Sequence, residues 1–113
     1  MKIDQLKPLP AKKLKFHLSQ AKYVPDSSGC YVITTFDAEI LYIGLAINLR
    51  KRCEQHLDSP QKTSETPLGR AFWFWHLQWS RDHLENLERS WMNLHLAQEG
   101  SLPFLNKIYS PVG

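Results

Sequence analysis

The fold is decided by one stretch, residues 29–44, which reads GCYVITTFDAEILYIG. Its two halves, GCYVITTF and EILYIG, are rich in β-branched and aromatic residues, a composition typical of β-strands. The two residues between them, Asp37 and Ala38, suit a turn. The stretch therefore predicts a β-hairpin that carries a glycine and a tyrosine near each end.

The pairing register of this hairpin follows from the position of its turn. If the chain turns at residues 37–38, paired residues have numbers that sum to 75, so that Tyr31 faces Gly44 and Ile33 faces Tyr42. These four residues share one face of the sheet, with the tyrosine Cα atoms roughly 7–8 Å apart on a diagonal. Taken alone, the two tyrosines are better interpreted as amphipathic core residues whose hydroxyls form local hydrogen bonds.

The remaining segments complete a small α+β domain. Asn48 is a suitable N-cap for a helix over Leu49–Leu57, residues 58–69 form a polar loop, and residues 70–79 predict a third strand. A last helix is expected over residues 82–98. The order β-β-α-β-α predicts a small three-stranded antiparallel sheet flanked by helices.

Both ends of the chain are predicted to be irregular. Residues 1–28 hold three prolines and end in PDSSG, which indicates an irregular arm with one or two helical turns around residues 14–21. Residues 101–113 are expected to form an extended tail. We expect a basic arm over residues 1–24 and a single folded domain over residues 25–113.

Charge is unevenly distributed over the 113 residues. Residues 1–28 carry six lysines and two aspartates (+4), whereas residues 29–113 carry eight basic and nine acidic groups (−1). A basic arm suits a polyanionic partner, although a solvated lysine-rich terminus is an equally good interpretation. The apolar runs are too short to cross a bilayer, and no signal peptide is evident, so we expect a cytoplasmic protein without membrane contact.

Two helices carry polar groups where apolar ones would be expected. On the first helix, Arg52 and His56 share a stripe with Leu49 and Cys53, although Arg52 could simply extend to water. On the last helix, Glu88 lies at the margin of an apolar stripe, where a carboxylate needs a cation, a metal or a donor. The stripe consists of Leu84, Leu87, Trp91 and Leu94. Glu85 lies further round and is expected to be solvated.

Three tryptophans, at positions 73, 75 and 79, alternate on one face of the third strand. Rows of aromatic rings can stack nucleic-acid bases, but large apolar residues in a short chain belong more often to the core. We therefore assign these tryptophans to the core. Cys30 and Cys53 fit neither a disulfide framework nor a zinc site, and we expect both to be reduced thiols.

Taken in order, these elements resemble the GIY-YIG nuclease superfamily. Its members include the nuclease domain of the bacterial excision-repair incision subunit, phage homing endonucleases and small stand-alone proteins. The resemblance covers roughly residues 25–108, with cysteine in the first motif where isoleucine or valine is usual. The matching elements are Gly29-Cys30-Tyr31, Tyr42-Ile43-Gly44, Arg52, His56, Glu88 in LERSWM and Asn106 in PFLN.

This resemblance implies a metal-dependent endonuclease that hydrolyses phosphodiester bonds in DNA, or less favourably RNA. Glu88 would hold a single Mg²⁺ or Mn²⁺, and Arg52 would bind the scissile phosphate. Tyr31 would position or deprotonate the attacking water, with its pKa lowered by a nearby cation. Three further residues would assist: Tyr42 by hydrogen-bonding the phosphate or the water, His56 as a second base, and Asn106 by orienting substrate or Glu88.

DNA is expected to bind through backbone phosphates, without sequence readout. A homodimer or a targeting protein would supply further selectivity, and the protein would associate with the nucleoid when on DNA. The residues expected to contact DNA are Gly44, which would leave room for a phosphate, and Arg50, Lys51, Lys12, Lys13 and Lys15.

The alternative is a catalytically inactive module of the same fold that binds nucleic acid or a protein, although the occupied polar positions argue against loss of activity. The chain departs from the family pattern at two places. Leu45 stands where the repair nucleases often carry a lysine, and the segment between Glu88 and Asn106 is long.

Overall fold

The computed structural model describes residues 1–10 and 12–109 of the chain. Its four β-strands are β1 (Lys12–Lys15), β2 (Gly29–Thr34), β3 (Ile40–Ala46) and β4 (Trp73–Gln78). Its four α-helices are α1 (Leu49–Leu57), α2 (Pro60–Thr63), α3 (Leu84–Glu99) and α4 (Phe104–Tyr109). Short 3₁₀ turns cover Ile3–Gln5, Leu18–Tyr23 and Arg81–His83. The predicted α+β class is confirmed.

The strands form one antiparallel sheet in the order β1-β4-β2-β3. The prediction of three strands was wrong by one, because β1 lies in the segment that was expected to be irregular with helical turns. The sequence KKLK has little β-propensity of its own, and β1 exists through its pairing with β4, in which Lys13 lies opposite Trp75. Tertiary pairing outweighs local preference at such an edge.

The hairpin has the predicted register. Tyr31 pairs with Gly44 and Ile33 pairs with Tyr42. The turn contains Ala38 at a φ of 68°, in the left-handed region. Next to the turn the register shifts between Ile33 and Thr34, so that Ile33 pairs with Tyr42 but Thr34 pairs with Ile40. The backbone therefore fixes which tyrosine side chains share a face.

Helix α1 also has its predicted bounds. The Asn48 side chain accepts a hydrogen bond from the Lys51 backbone N–H and so caps the first turn. Helix α3 begins two residues later than expected, after a 3₁₀ turn, and ends at Gly100 with a φ of 75°. The tail was expected to be extended, but it contains α4, and the polar loop contains α2.

Each face of the sheet covers a separate apolar core. Cys30 and Val32 pack with α3, whereas Tyr31 and Ile33 pack with α1 on the other face. Residues 1–24 contribute Ile3 and Leu6 to the first core and Phe16 and Ala21 to the second. The division of the chain at residue 25 stays a prediction, but residues on both sides of it share these cores.

The tryptophans at positions 73, 75 and 79 are less buried than expected. Phe74 and His76 are the buried residues of β4, whereas Trp73 and Trp75 are half-buried and Trp79 is 38% exposed. Trp75 packs against the α3 core, so the assignment to the core holds only in part. Both cysteines are buried and free. Within residues 1–10 and 12–109, no helix has the length and hydropathy needed to span a membrane.

Candidate active site

A cleft of about 370 Å³ lies beside the edge strand β3, where the sheet meets α1 and α3. Four residues predicted from the sequence reach this cleft from four elements: Tyr31 from β2, Tyr42 from β3, Arg52 from α1 and Glu88 from α3. The rest of the lining consists of Gly44, Leu45, Glu85 and Arg89. Residues up to 57 positions apart in sequence therefore converge on one opening.

The Tyr31 ring fills the inner wall of the cleft. Its centroid lies 6.0 Å from that of Tyr42 and 5.1 Å from that of Phe74, both in stacked arrangements. A Cβ atom at Gly44 would lie 2.5 Å from the Tyr31 Cζ and hydroxyl oxygen. Gly44 is thus required by the Tyr31 ring, and the space that was expected to admit a phosphate is already occupied.

Tyr31 and His56 form a buried hydrogen-bonded pair. The Tyr31 hydroxyl oxygen lies 2.6 Å from His56 Nε2. Burial, together with the positive charges of Lys62 and Arg52, lowers the pKa of His56 to about 3. The imidazole is therefore neutral at physiological pH, and in the tautomer that carries its proton on Nδ1 the Nε2 atom accepts a hydrogen bond from the Tyr31 phenol.

The pKa of Tyr31 departs from its expected direction. Burial raises it well above 10, with a further increase from Tyr42, and Arg52 opposes this only in part. The nearby cation Arg52 does lower the Tyr31 pKa, as expected, but its effect is smaller than the increase caused by burial. Removal of a proton from Tyr31 would require an acceptor, and the hydrogen-bond partner of its hydroxyl is His56.

This pair gives a prediction for stability. His56 titrates near pH 6.5 when unfolded but near pH 3 when folded, so the unfolded chain binds more protons in that interval and stability falls as the pH decreases. His56→Gln should flatten the slope of unfolding free energy between pH 6.5 and 4.5 by about 1 kcal/mol per pH unit. Urea unfolding at both pH values measures this. Equal slopes in the two proteins would contradict the assigned burial of a neutral imidazole.

Arg52 and Glu88 face the cleft from opposite helices. Both side chains are half-buried, and no ion pair among the described residues includes either of them. Burial and the neighbouring Glu85 raise the pKa of Glu88, while Arg52 and Arg89 lower it. A cation and a carboxylate are therefore held close to each other without neutralising contact.

The donor set fits a hydrated divalent ion. Within the described ranges, no three histidine, cysteine or carboxylate side chains converge to form a complete protein cage. Mg²⁺ is commonly bound through one or two carboxylates, with water and substrate phosphate completing its coordination. Glu88, with Glu85 also lining the cleft, matches that pattern.

Asn106 does not line the cleft. Its Oδ1 accepts a hydrogen bond from the Ile43 N–H and its Nδ2 donates to the Ile43 carbonyl, both at 2.9 Å. The side-chain amide thus pairs with the open edge of β3 as a neighbouring strand would. The expected role in orienting substrate or Glu88 does not match this placement, and Asn106 is a positioning residue for the YIG strand.

The basic residues expected to bind DNA also lie outside the cleft. Arg50 donates to Asp26 and to the Val24 carbonyl, at 2.7 and 2.8 Å, which holds it on the far side of α1. Lys51 is exposed on α1, and Lys12 lies near His76. Lys13 and Lys15 lie over aromatic rings at the opposite edge of the sheet.

Sequence reasoning missed Lys62. This α2 residue is only 6% exposed, with its Nζ 4.6 Å from the centroid of the Tyr42 ring. Burial and the charge of Arg52 lower its pKa. A single lysine within the polar segment SPQKTS carries no periodic signal, so only the folded chain shows that it contacts the site.

A family model described as the GIY-YIG catalytic domain matches residues 27–100 of the 113-residue chain. The match includes the four cleft residues from β2, β3, α1 and α3, and it stops before Asn106. A comparison with curated proteins found no match. With a match over most of its length and the motif residues gathered in one cleft, the chain belongs to the GIY-YIG catalytic domain family, a family of nucleases.

Proposed function

We propose that the chain is a metal-dependent endonuclease that hydrolyses phosphodiester bonds in DNA. One observation supports this function above the others: Tyr31, Tyr42, Arg52 and Glu88 line a single cleft. Phosphodiester hydrolysis requires a group for the phosphate charge, one for the attacking water and one for a metal ion. The four side chains supply all three.

Arg52 would hold the scissile phosphate. Its guanidinium is permanently charged, and its planar fork matches two phosphate oxygens at once. Because no carboxylate among the described residues pairs with it, its positive charge is not neutralised and would attract an anion entering the cleft. The same contact would offset charge that develops on the phosphoryl oxygens.

Tyr31 and His56 would receive the proton of the attacking water. As the water oxygen forms its bond to phosphorus and the bond from phosphorus to the leaving oxygen breaks, the water proton would pass to the Tyr31 oxygen and the tyrosine proton to His56 Nε2, 2.6 Å away. The reaction thus leaves a neutral phenol and an imidazolium. The negative phosphate near Arg52 and Lys62 would reduce the electrostatic cost of that imidazolium.

Tyr42 and Glu88 would complete the site. The Tyr42 ring stacks on Tyr31 and contacts Lys62, which holds it in the wall of the cleft, and its hydroxyl would hydrogen-bond the phosphate or the water. Glu88 would hold Mg²⁺ or Mn²⁺, which when bound neutralises charge on the leaving oxygen. We further propose a cytoplasmic enzyme that binds DNA weakly and is assisted by dimerisation or a targeting protein.

A cleavage assay tests the proposed function. Linear, nicked and branched DNA and an RNA of the same sequence are incubated with the protein in Mg²⁺, in Mn²⁺ and in EDTA. We expect cleavage of DNA in a divalent ion, none in EDTA, and slower cleavage of RNA. If no DNA substrate is cleaved in either ion while DNA is still bound, the chain is instead an inactive binding module.

A further inference from the structure

Exposed lysines and aromatic side chains that are exposed or half-buried cluster at the edge of the sheet opposite the cleft. We call this cluster the aromatic platform; it consists of Phe36, Phe72, Trp73 and Trp75 together with Lys13 and Lys15. Lys13 and Lys15 belong to β1, the edge strand, and the tryptophans belong to β4 beside it. The catalytic cleft lies at the other edge, on β3.

Three rings of the platform, those of Phe36, Phe72 and Trp73, pack against one another, whereas Trp75 also packs against the α3 core. The Phe36 side chain is 66% exposed, and its ring stacks on Trp73 with a centroid distance of 6.4 Å and an interplanar angle of 26°. Phe72 contacts Phe36 and Trp73 edge-on, at 5.0 and 4.8 Å. The Phe36 ring is therefore largely open to solvent, and the Phe72 and Trp73 rings beside it are partly open.

Hydrogen bonds fix the orientation of both indoles. Trp73 Nε1 donates to the Phe36 carbonyl at 3.1 Å, and Trp75 Nε1 donates to Thr34 Oγ1 at 2.9 Å. Since each indole N–H is satisfied within the protein, the remaining surface of each ring is hydrocarbon. Such a preorganised ring loses little conformational freedom when a flat group stacks on it.

Two lysines supply positive charge to the same surface. Lys13 Nζ lies 4.3 Å from the Trp73 ring centroid and 5.1 Å from that of Trp75, and Lys15 Nζ lies 5.7 Å from Phe72. Both lysines are exposed, and neither forms an ion pair within the described part of the chain. The combination of aromatic faces with unneutralised cations matches a polyanion that carries flat rings.

We propose that the aromatic platform binds unpaired nucleotides of single-stranded DNA, an inference that rests on the proposed function for the choice of DNA as ligand. Bases stack on Phe36 and Trp73, and Lys13 moves from the indole face to a backbone phosphate. That exchange is favourable because base–aromatic stacking is stronger than an exposed cation–π contact. Duplex DNA hides its base faces, so the platform selects substrates that contain an unpaired segment.

Binding of a short oligothymidylate in EDTA tests this proposal without depending on cleavage. Fluorescence anisotropy of the labelled oligonucleotide gives the affinity and its salt dependence. We expect Phe36→Ala to weaken binding about tenfold and Lys13→Gln to lower the salt slope by about 0.7. The matched control is Tyr23→Ala, because Tyr23 is 61% exposed, lies beneath Lys22 and is outside the platform. The Tyr23→Ala protein should bind the oligonucleotide with the wild-type affinity.

Three results would overturn the proposal: equal affinity for a duplex of the same length, unchanged affinity of Phe36→Ala, or a wild-type dimer that Phe36→Ala converts to monomer. The last would assign the platform to a second copy of the chain. Oligothymidylate binding by a protein that cleaves no DNA would refute the proposed nuclease function alone. Cleavage without oligothymidylate binding would refute the platform alone.

Discussion

Replacement of Glu88 by glutamine is expected to lower the single-turnover rate of DNA cleavage by about 10³-fold or more. Glutamine keeps the size of the side chain and removes its charge, so the half-buried position next to Leu87 and the α3 core stays packed. What is lost is the carboxylate that would hold the divalent ion. Quenched-flow or manual sampling with excess enzyme measures the chemical step directly.

The DNA affinity of Glu88→Gln and the cleavage rate of a matched variant distinguish the loss of the metal ligand from misfolding. Glu88→Gln should bind DNA in EDTA at least as tightly as wild type, because it removes one negative charge from a surface that receives phosphate. Glu54→Gln provides the control, since Glu54 is exposed on α1 and does not line the cleft. Cleavage by Glu88→Gln at the rate of Glu54→Gln would remove Glu88 from the metal site.

Replacement of Tyr31 by phenylalanine is expected to lower the cleavage rate by about 10²- to 10⁴-fold, the usual contribution of a positioned acid or base. The variant keeps the stacking of the ring on Tyr42 and Phe74 and removes only the hydroxyl. Loss of the hydroxyl also leaves His56 Nε2 without its hydrogen-bond partner, which lies 2.6 Å away in the wild type. This should lower the free energy of unfolding by about 1–3 kcal/mol. Urea unfolding monitors that cost separately from the rate.

The Tyr31–His56 relay predicts a non-additive effect. If the two groups move one proton, removal of either breaks the same path, so Tyr31→Phe/His56→Gln should be no slower than the slower single variant. The four rates of the double-mutant cycle measure this coupling. If the losses multiply instead, the two groups act independently and the relay is wrong.

The hairpin and α1 could be predicted from sequence because short-range rules determine them. The turn position and the alternation of side chains fix the register that pairs Tyr31 with Gly44. An N-cap at Asn48 and a 3.6-residue period fix α1, and with it the direction of Arg52. Since β2, β3 and α1 are consecutive, three of the four principal site residues follow from local patterns.

The rest of the fold depends on contacts between distant segments. Strand β1 has no β-pattern of its own and forms by pairing with β4, and residue Lys62 contacts Tyr42 only because α2 folds back over α1. The Trp73 side chain is half-buried rather than core because α3 covers only part of its face of the sheet. Alternation shows which side chains share a face, but not which part of that face is covered.

Asn106 shows the same limit at the site itself. The motif PFLN places an amide near the end of the domain, and a polar side chain there is compatible with either substrate or protein contact. Only the packing of α4 against β3 shows that the Asn106 side-chain oxygen and nitrogen are both hydrogen-bonded to the Ile43 backbone. The residue therefore acts on the YIG strand, and its motif alone could not distinguish the two roles.

The claim that the cleft is the phosphodiesterase site is tested most directly by comparing two arginines on one helix. Arg52 lines the cleft, whereas Arg50, two residues earlier, is held by Asp26 on the far side of α1. Single-turnover DNA cleavage should fall about 10²-fold in Arg52→Lys, which loses the planar fork, and stay near the wild-type rate in Arg50→Lys. Equal rates for the two variants, or a greater loss for Arg50→Lys, would contradict the assignment of the active site to this cleft.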